Sequence, residues 1–262
     1  MSLLELLGLS LAIVAVCMAA LWLLSLALKN AGIVDIFWGL GFVLLSGVYF
    51  VAADGFTGRK LLVLALVAAW GLRLSGYILW RNRGKGEDYR YARWREQEGG
   101  RFWWTSLLQV FLLQGLLMWV ISMPVLAAQS ADEPDRLTWV DVAGTAVWGI
   151  GFFFEAVGDW QLALFKTDPA NRGEVMRSGV WRYTRHPNDF GDATQWWGLY
   201  VIAAGAADGY WTLFSPLVMT VLLLRVSGVA LLERAQVETK PQYREYIEST
   251  SAFVPWLPRR RA

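Results

Sequence analysis

The stretch "LLGLSLAIVAVCMAALWLLSLAL", Leu6–Leu28, contains no charged residue. About 20 apolar residues in a row are enough for a helix to cross the hydrocarbon core of a bilayer. The segment has neither a basic region before it nor a small-residue cleavage site after it, so it reads as a retained helix and not as a secretory leader. The rest of the 262-residue chain agrees, because 56% of its residues are hydrophobic, above the roughly 45–50% of an ordinary soluble domain. The sequence predicts an all-α integral membrane protein, with one domain over 1–262.

Hydropathy predicts about seven spans, roughly 3–28, 31–53, 61–81, 105–127, 138–165, 193–207 and 210–232. The connections differ in charge. "RNRGKGEDYRYARWREQEGGRFWW" after the third span is rich in Arg and Lys, and the segment before the sixth carries Arg172, Arg177, Arg182 and Arg185. "AAQSADEPDRLTW" is acidic. Basic loops stay in the cytoplasm, which predicts an outer N-terminus and a cytoplasmic C-terminus. Arg59 and Lys60 are then on the wrong side, a mild violation. Sixteen Trp, many near span ends, suit interfacial anchoring. A bacterial inner membrane is the expected location, and nothing suggests nucleic acid as a partner.

Charges inside spans are costly and usually face an internal cavity. Asp35, Arg73, Glu155, Asp159, Asp192 and Arg225 all fall in the cytoplasmic halves of their spans. Glu155, Asp159, Leu162 and Lys166 recur at i, i+4, i+7 and i+11, so they share one helical face. Two readings stand side by side: a structural network holding helices together, and a polar pocket open to the cytoplasm.

"GVWRYTRHPNDFGDATQWWG", Gly179–Gly198, adds Arg182, Tyr183, Arg185, Asn188 and the only histidine, His186. Arginine forks match phosphates and carboxylates, and a helix beginning near Asn188 offers N–H groups to an anion. The plainer alternative is a basic patch on lipid headgroups. With a single His and a single Cys, Cys17, no metal site is expected.

Four segments carry a resemblance: "EDYRY" (87–91), "FEAVGDWQLALFK" (154–166), the Gly179–Gly198 stretch, and "SAFVPWLP" (251–258). From about Asn30 onward the chain resembles the DUF1295 family, within the steroid 5-alpha-reductase-like membrane superfamily. Where that family has "HPNYFGE", this chain has Asp189 and Asp192, the latter keeping a carboxylate. The resemblance implies NADPH entering from the cytosol into a pocket mainly from 139–262, and hydride transfer to an enone C=C bond of a lipid-soluble substrate. Asp159, Lys166, Asn188, Asp192 and Arg225 match superfamily cofactor positions, and Glu155, Arg182, Tyr183, Arg185 and His186 complete the expected cofactor set. Steroid reductases carry a Gln–Glu pair and a Tyr where this chain has "NAGIVDIFWG" and "AWGLRLSGY". Asp35, with Arg73 nearby, is the expectation for the substrate end. The "RHP" element also resembles S-adenosylmethionine-dependent membrane methyltransferases of the isoprenylcysteine and phospholipid types, which keeps methyl transfer open. A lipid-binding scaffold without activity is the third possibility.

Overall fold

In the computed structural model, which describes residues 1–226 and 229–259, every regular element is helical. Six helices are long and apolar enough to cross a membrane. They are α1 (Leu3–Leu28), α2 (Ile33–Ala52), α3 (Thr57–Asn82), a helical run Tyr89–Ser130, α8 (Trp139–Thr167) and the run Gly209–Val226. The chain is a multi-pass membrane protein. The Tyr89–Ser130 run consists of α4 (Tyr89–Glu98), α5 (Phe102–Ser106), α6 (Leu113–Ile121) and α7 (Met123–Ser130), with a π-helical turn at Leu107–Leu112. The remaining helices are α9 (Pro187–Ala204), α10 (Phe214–Val221), α11 (Val229–Thr239) and α12 (Tyr243–Ser249). Residues 227 and 228 of the last expected span, and 260–262 of the tail, lie outside the described residues.

The sixth expected span, 193–207, is found as α9, an 18-residue helix that is not among the six. It starts six residues earlier than hydropathy suggests. Pro187 occupies its first turn, where a missing N–H costs nothing. Asp192 therefore lies inside the helix and not at its mouth.

Two compact units divide the chain. Unit 1 comprises Met1–Thr138 with Ala206–Thr212, and unit 2 comprises Trp139–Gly205 with the residues from Leu213 on.

Helices in lipid gain little from burying apolar surface on each other, so close backbone approach and buried hydrogen bonds must hold them. Unit 1 uses both. A Cβ on Gly39 of α2 would lie 2.3 Å from the carbonyl oxygen of Gly71 in α3, and one on Gly71 2.5 Å from that of Gly39. Polar pairs bind the other helices: Tyr49 Oη with Ser122 Oγ at 3.0 Å, Gln129 Nε2 to Ser46 Oγ at 2.8 Å, Trp119 Nε1 to Ser10 Oγ at 3.0 Å.

Arg59, the apparent violation of the loop-charge pattern, is fully buried. Its guanidinium donates to the carbonyls of Ala131 (3.4 Å), Pro134 (3.0 Å) and Arg136 (3.3 Å). It clasps the acidic loop after α7. A charge used to bond backbone carbonyls says nothing about sidedness.

Unit 2 is built on α8 and α9. Glycines recur every seventh residue on both strands of the pair: Gly144, Gly151 and Gly158, then Gly191, Gly198 and Gly205. A Cβ on Gly151 would stand 2.5 Å from the Gly191 carbonyl oxygen, and one on Gly144 2.7 Å from that of Gly198. Only a hydrogen fits at these crossings, so the backbones touch. A seven-residue period on facing helices is the spacing of a left-handed pair.

Candidate functional site

Asp35, in the first turn of α2, is the centre of a polar cluster in unit 1. Tyr91 Oη donates to its Oδ1 at 2.7 Å, and Arg90 Nη2 donates to Oδ2 at 2.9 Å. Gln114 Nε2 donates in turn to Tyr91 Oη at 3.2 Å. Arg90 also bonds Asp88 through Nε at 2.9 Å. The expected neighbour Arg73 is not among these partners; it is half-buried on α3, and the cation on Asp35 is Arg90. The Arg90–Asp35 pairing has a local cause. Asp88 caps α4 by accepting from Arg90 N–H at 3.0 Å, and this turn swings residues 90 and 91 onto α2.

Glu87 fixes the same turn from the other side. It accepts from Ala31 N–H, just before α2, at 2.7 Å. It also takes the fork of Arg95 at 2.9 and 2.8 Å. Burial works against its ionisation, but the Arg95 and Ala31 hydrogen bonds win and hold its carboxyl below the usual glutamate value. "EDYRY" thus forms one side of the Asp35 cluster. A small cleft of about 90 Å³ beside it is lined by Asn30, Gly32, Asn82, Arg83 and Asp88, among others.

Unit 2 gathers the second set. Glu155 and Asp159 are buried on α8, Asp192 on α9. Glu155 Oε2 accepts from Gln195 Nε2 at 2.6 Å, a bond made possible by the Gly151–Gly191 contact one turn away. Lys166 and Arg182 are exposed, as is Tyr183; Asn188 is half-buried in the first turn of α9. Arg225 is exposed in a π-helical segment, Leu222–Val226.

Arg185 and His186 are buried and inward-facing. Arg185 Nε donates to Glu233 Oε1 of α11 at 2.7 Å. Its Nη1 donates to the carbonyls of Ile247, at 3.0 Å, and Thr250. His186 Nε2 lies 3.2 Å from the same Glu233 oxygen, and Nδ1 lies 3.5 Å from Asp189 Oδ2. Burial alone would lower the histidine's pKa. The two carboxylates, Asp189 and Glu233, outweigh it and push the pKa up. Glu233 is held below its ordinary value against its own burial, by His186 and Arg185.

The C-terminal segment closes over this loop. Tyr246 Oη donates to the Trp181 carbonyl. Thr184 and Ser251 form a parallel β-bridge, with Arg185 N–H bonded to the Ser251 carbonyl at 2.9 Å. Glu233 was not legible as a member of the site. A Glu on an amphipathic helix has no local mark that separates it from a solvated one.

Residues 21–250 match the family described as "Protein of unknown function (DUF1295)". The chain belongs to the DUF1295 family. The match covers every charged residue of both clusters. An uncharacterized protein of Schizosaccharomyces pombe, C594.04c, is 26% identical over 267 residues, spanning 90% of this DUF1295 chain and 76% of its own length. That relative is fungal, so family membership does not single out a bacterial membrane. No solved structure matches this DUF1295 chain.

Proposed function

We propose that the chain is a membrane-embedded, NADPH-dependent reductase of a C=C bond in a lipid-soluble enone-type substrate, of the steroid 5-alpha-reductase-like kind. The supporting observation is the division of labour among the cations of unit 2. Arg185 is buried on Glu233 and two carbonyls, while Lys166, Arg182 and Arg225 are exposed residues.

NADPH asks for cations at its pyrophosphate and 2′-phosphate, and for acceptors at its ribose hydroxyls and carboxamide. Lys166, Arg182 and Arg225 supply the first. Asp159, about two turns inside the end of α8, and Asp192, in the second turn of α9, both buried, supply the second. Asn188, at the start of α9, adds an amide where helix N–H groups favour an anion. The residues fit the group. When bound, NADPH supplies hydride. The chain's own part is to hold it and to deliver a proton.

For the proton we assign the Asp35–Tyr91 pair. The Tyr91 hydroxyl is a donor held at 2.7 Å on a carboxylate and steadied by Gln114, the arrangement of a positioned acid. Arg90 balances the charge of Asp35. The topology belongs to the same proposal: seven crossings with α9 as the sixth in chain order, N-terminus outside, C-terminus cytoplasmic, as the basic loops suggest.

The test is calorimetry on the purified protein in detergent, with NADPH and S-adenosylmethionine as alternative ligands. NADPH binding that weakens about tenfold or more in Arg182→Ala, the loss of one charge-assisted contact, supports the reductase. Binding of S-adenosylmethionine instead makes the unit 2 site a methyltransferase site. Binding of neither removes the proposal.

A further inference from the structure

The C-terminal segment Ser249–Arg259 is fixed to its unit along most of its length. Besides the Thr184–Ser251 bridge, Thr184 Oγ1 donates to the Phe253 carbonyl at 2.8 Å, Trp256 N–H to the Tyr183 carbonyl at 2.9 Å, and Arg259 N–H to the Ser249 carbonyl at 2.9 Å. Phe253 is turned inward, edge-on to Phe190 at 5.8 Å, which is edge-on to Phe154 at 5.3 Å. The neighbouring apolar side chains are turned outward. Val254 is 58% exposed, Trp256 73% and Leu257 75%. A floppy tail would cost little by exposing such residues. A strap held by backbone hydrogen bonds cannot tuck them away, so something apolar must cover them.

Depth says what covers them. With 29 residues, α8 is about 43 Å long and exceeds a hydrocarbon core of about 30 Å. Trp139 at its start is 86% exposed, as an interfacial Trp is, and a crossing that begins there leaves the last turns at the headgroup level. The loop under the strap is pinned to those turns: Trp181 Nε1 donates to the Gly158 carbonyl at 3.1 Å, and Val180 N–H to Gln161 Oε1 at 3.0 Å. Trp160, in the same turns, is exposed, as an interfacial Trp is. The strap thus lies at the boundary between lipid and water.

Charge says which lipid. From Ser249 to the end the sequence contains no acidic residue, and Arg259, Arg260 and Arg261 follow the apolar group directly. A Trp–Leu pair at headgroup depth, followed in the sequence by basic residues, combines insertion with attraction to anionic lipid. We propose that the 249–259 strap is a membrane-surface anchor. Val254, Trp256 and Leu257 enter the interface of the bilayer in which the chain sits, and Arg259, with the further basic charge that follows it in the sequence, draws anionic phospholipid to it. The strap is bonded to residues 183–185, so lipid contact also steadies the loop that carries Arg182 and His186. This inference does not depend on the reductase reading.

The test uses the full chain in nanodiscs, with Cys17→Ser and a spin label at one position: Trp256→Cys, or Leu257→Cys as a second variant that keeps the tryptophan. Glu174→Cys, on the exposed loop after α8, is the aqueous reference. In phosphatidylcholine–phosphatidylglycerol discs, labels at 256 and 257 should collide with oxygen more than with an aqueous nickel chelate, the reverse of position 174. The label should become several-fold more open to the chelate in pure phosphatidylcholine, and in an Arg259→Gln, Arg260→Gln, Arg261→Gln background. Labels at 256 and 257 as aqueous as at 174 would overturn the anchor. Equal depth in both lipids and in the triple variant would overturn the headgroup assignment. Dipolar broadening between labels on two chains would make the strap a protein interface and overturn the proposal outright. None of these readings requires bound NADPH or turnover.

Discussion

One carboxylate oxygen of Glu233 serves two buried neighbours: it accepts from Arg185 Nε at 2.7 Å and lies 3.2 Å from His186 Nε2. Arg185 in turn binds the carbonyls that end α12. Through this oxygen α11 and the C-terminal segment are joined to the start of α9.

Removing that charge strands a buried guanidinium and an imidazole. Breaking a buried pair from one side costs about 3–5 kcal/mol. Glu233→Gln is therefore expected to lower the thermal stability of the detergent-solubilised protein sharply. It should also drop the pKa of His186. With a single histidine in the chain, one imidazole NMR signal reports it without assignment. An unmoved titration in Glu233→Gln would detach the two residues.

The pH dependence follows from the signs. His186 is raised in the folded protein, so its contribution is full below the ordinary histidine value and disappears as pH rises through the raised one. Glu233 is lowered, so its contribution is full above the ordinary glutamate value and disappears as pH falls through the lowered one. The coupled stabilisation is full between the ordinary glutamate value and the ordinary histidine value, and is lost beyond them as pH passes the lowered Glu233 value or the raised His186 value. Melting temperature against pH should show both limbs, and His186→Gln should remove the alkaline one and shrink the acid one, because His186 also holds Glu233 down.

The glycine contacts predict a sharp contrast. Gly151→Ala places a methyl 2.5 Å from the Gly191 carbonyl oxygen, an overpacking that costs about 1–3 kcal/mol. Gly8→Ala meets nothing within 4 Å and should be neutral or slightly stabilising, as alanine favours helix. Equal melting temperatures for the two variants would remove the α8–α9 crossing as the basis of unit 2.

Asp35→Asn and Tyr91→Phe test the proton-delivering assignment. Both should suppress turnover of an enone by about 10²-fold or more, with NADPH affinity within twofold of the parent. The single oxygen of Asn still accepts from one of the two donors, and Arg90 keeps Asp88, so the fold of Asp35→Asn should survive. Equal loss of binding and turnover would show that the Asp35 cluster has no separate substrate role.

The sequence by itself determined the helical membrane class. Apolar runs such as Leu6–Leu28 are local in the chain, and length and hydropathy suffice to read them. It also singled out Asp35, Glu155, Asp159, Asp192 and His186, since a charge in an apolar run stands out without any knowledge of its neighbours. Partners were another matter. Asp35 meets residues 55 and 56 positions away, and Arg185 meets one 48 away. Many chain paths bring some cation to a carboxylate, and Arg73 was the nearer guess by helix depth alone. The cap of α4 by Asp88 decided for Arg90. The seven-residue glycine spacing stood in the sequence, yet a spacing does not name its partner. Only the facing register of Gly151 and Gly191 shows which helices touch, because packing at backbone distance is a property of two surfaces and not of one.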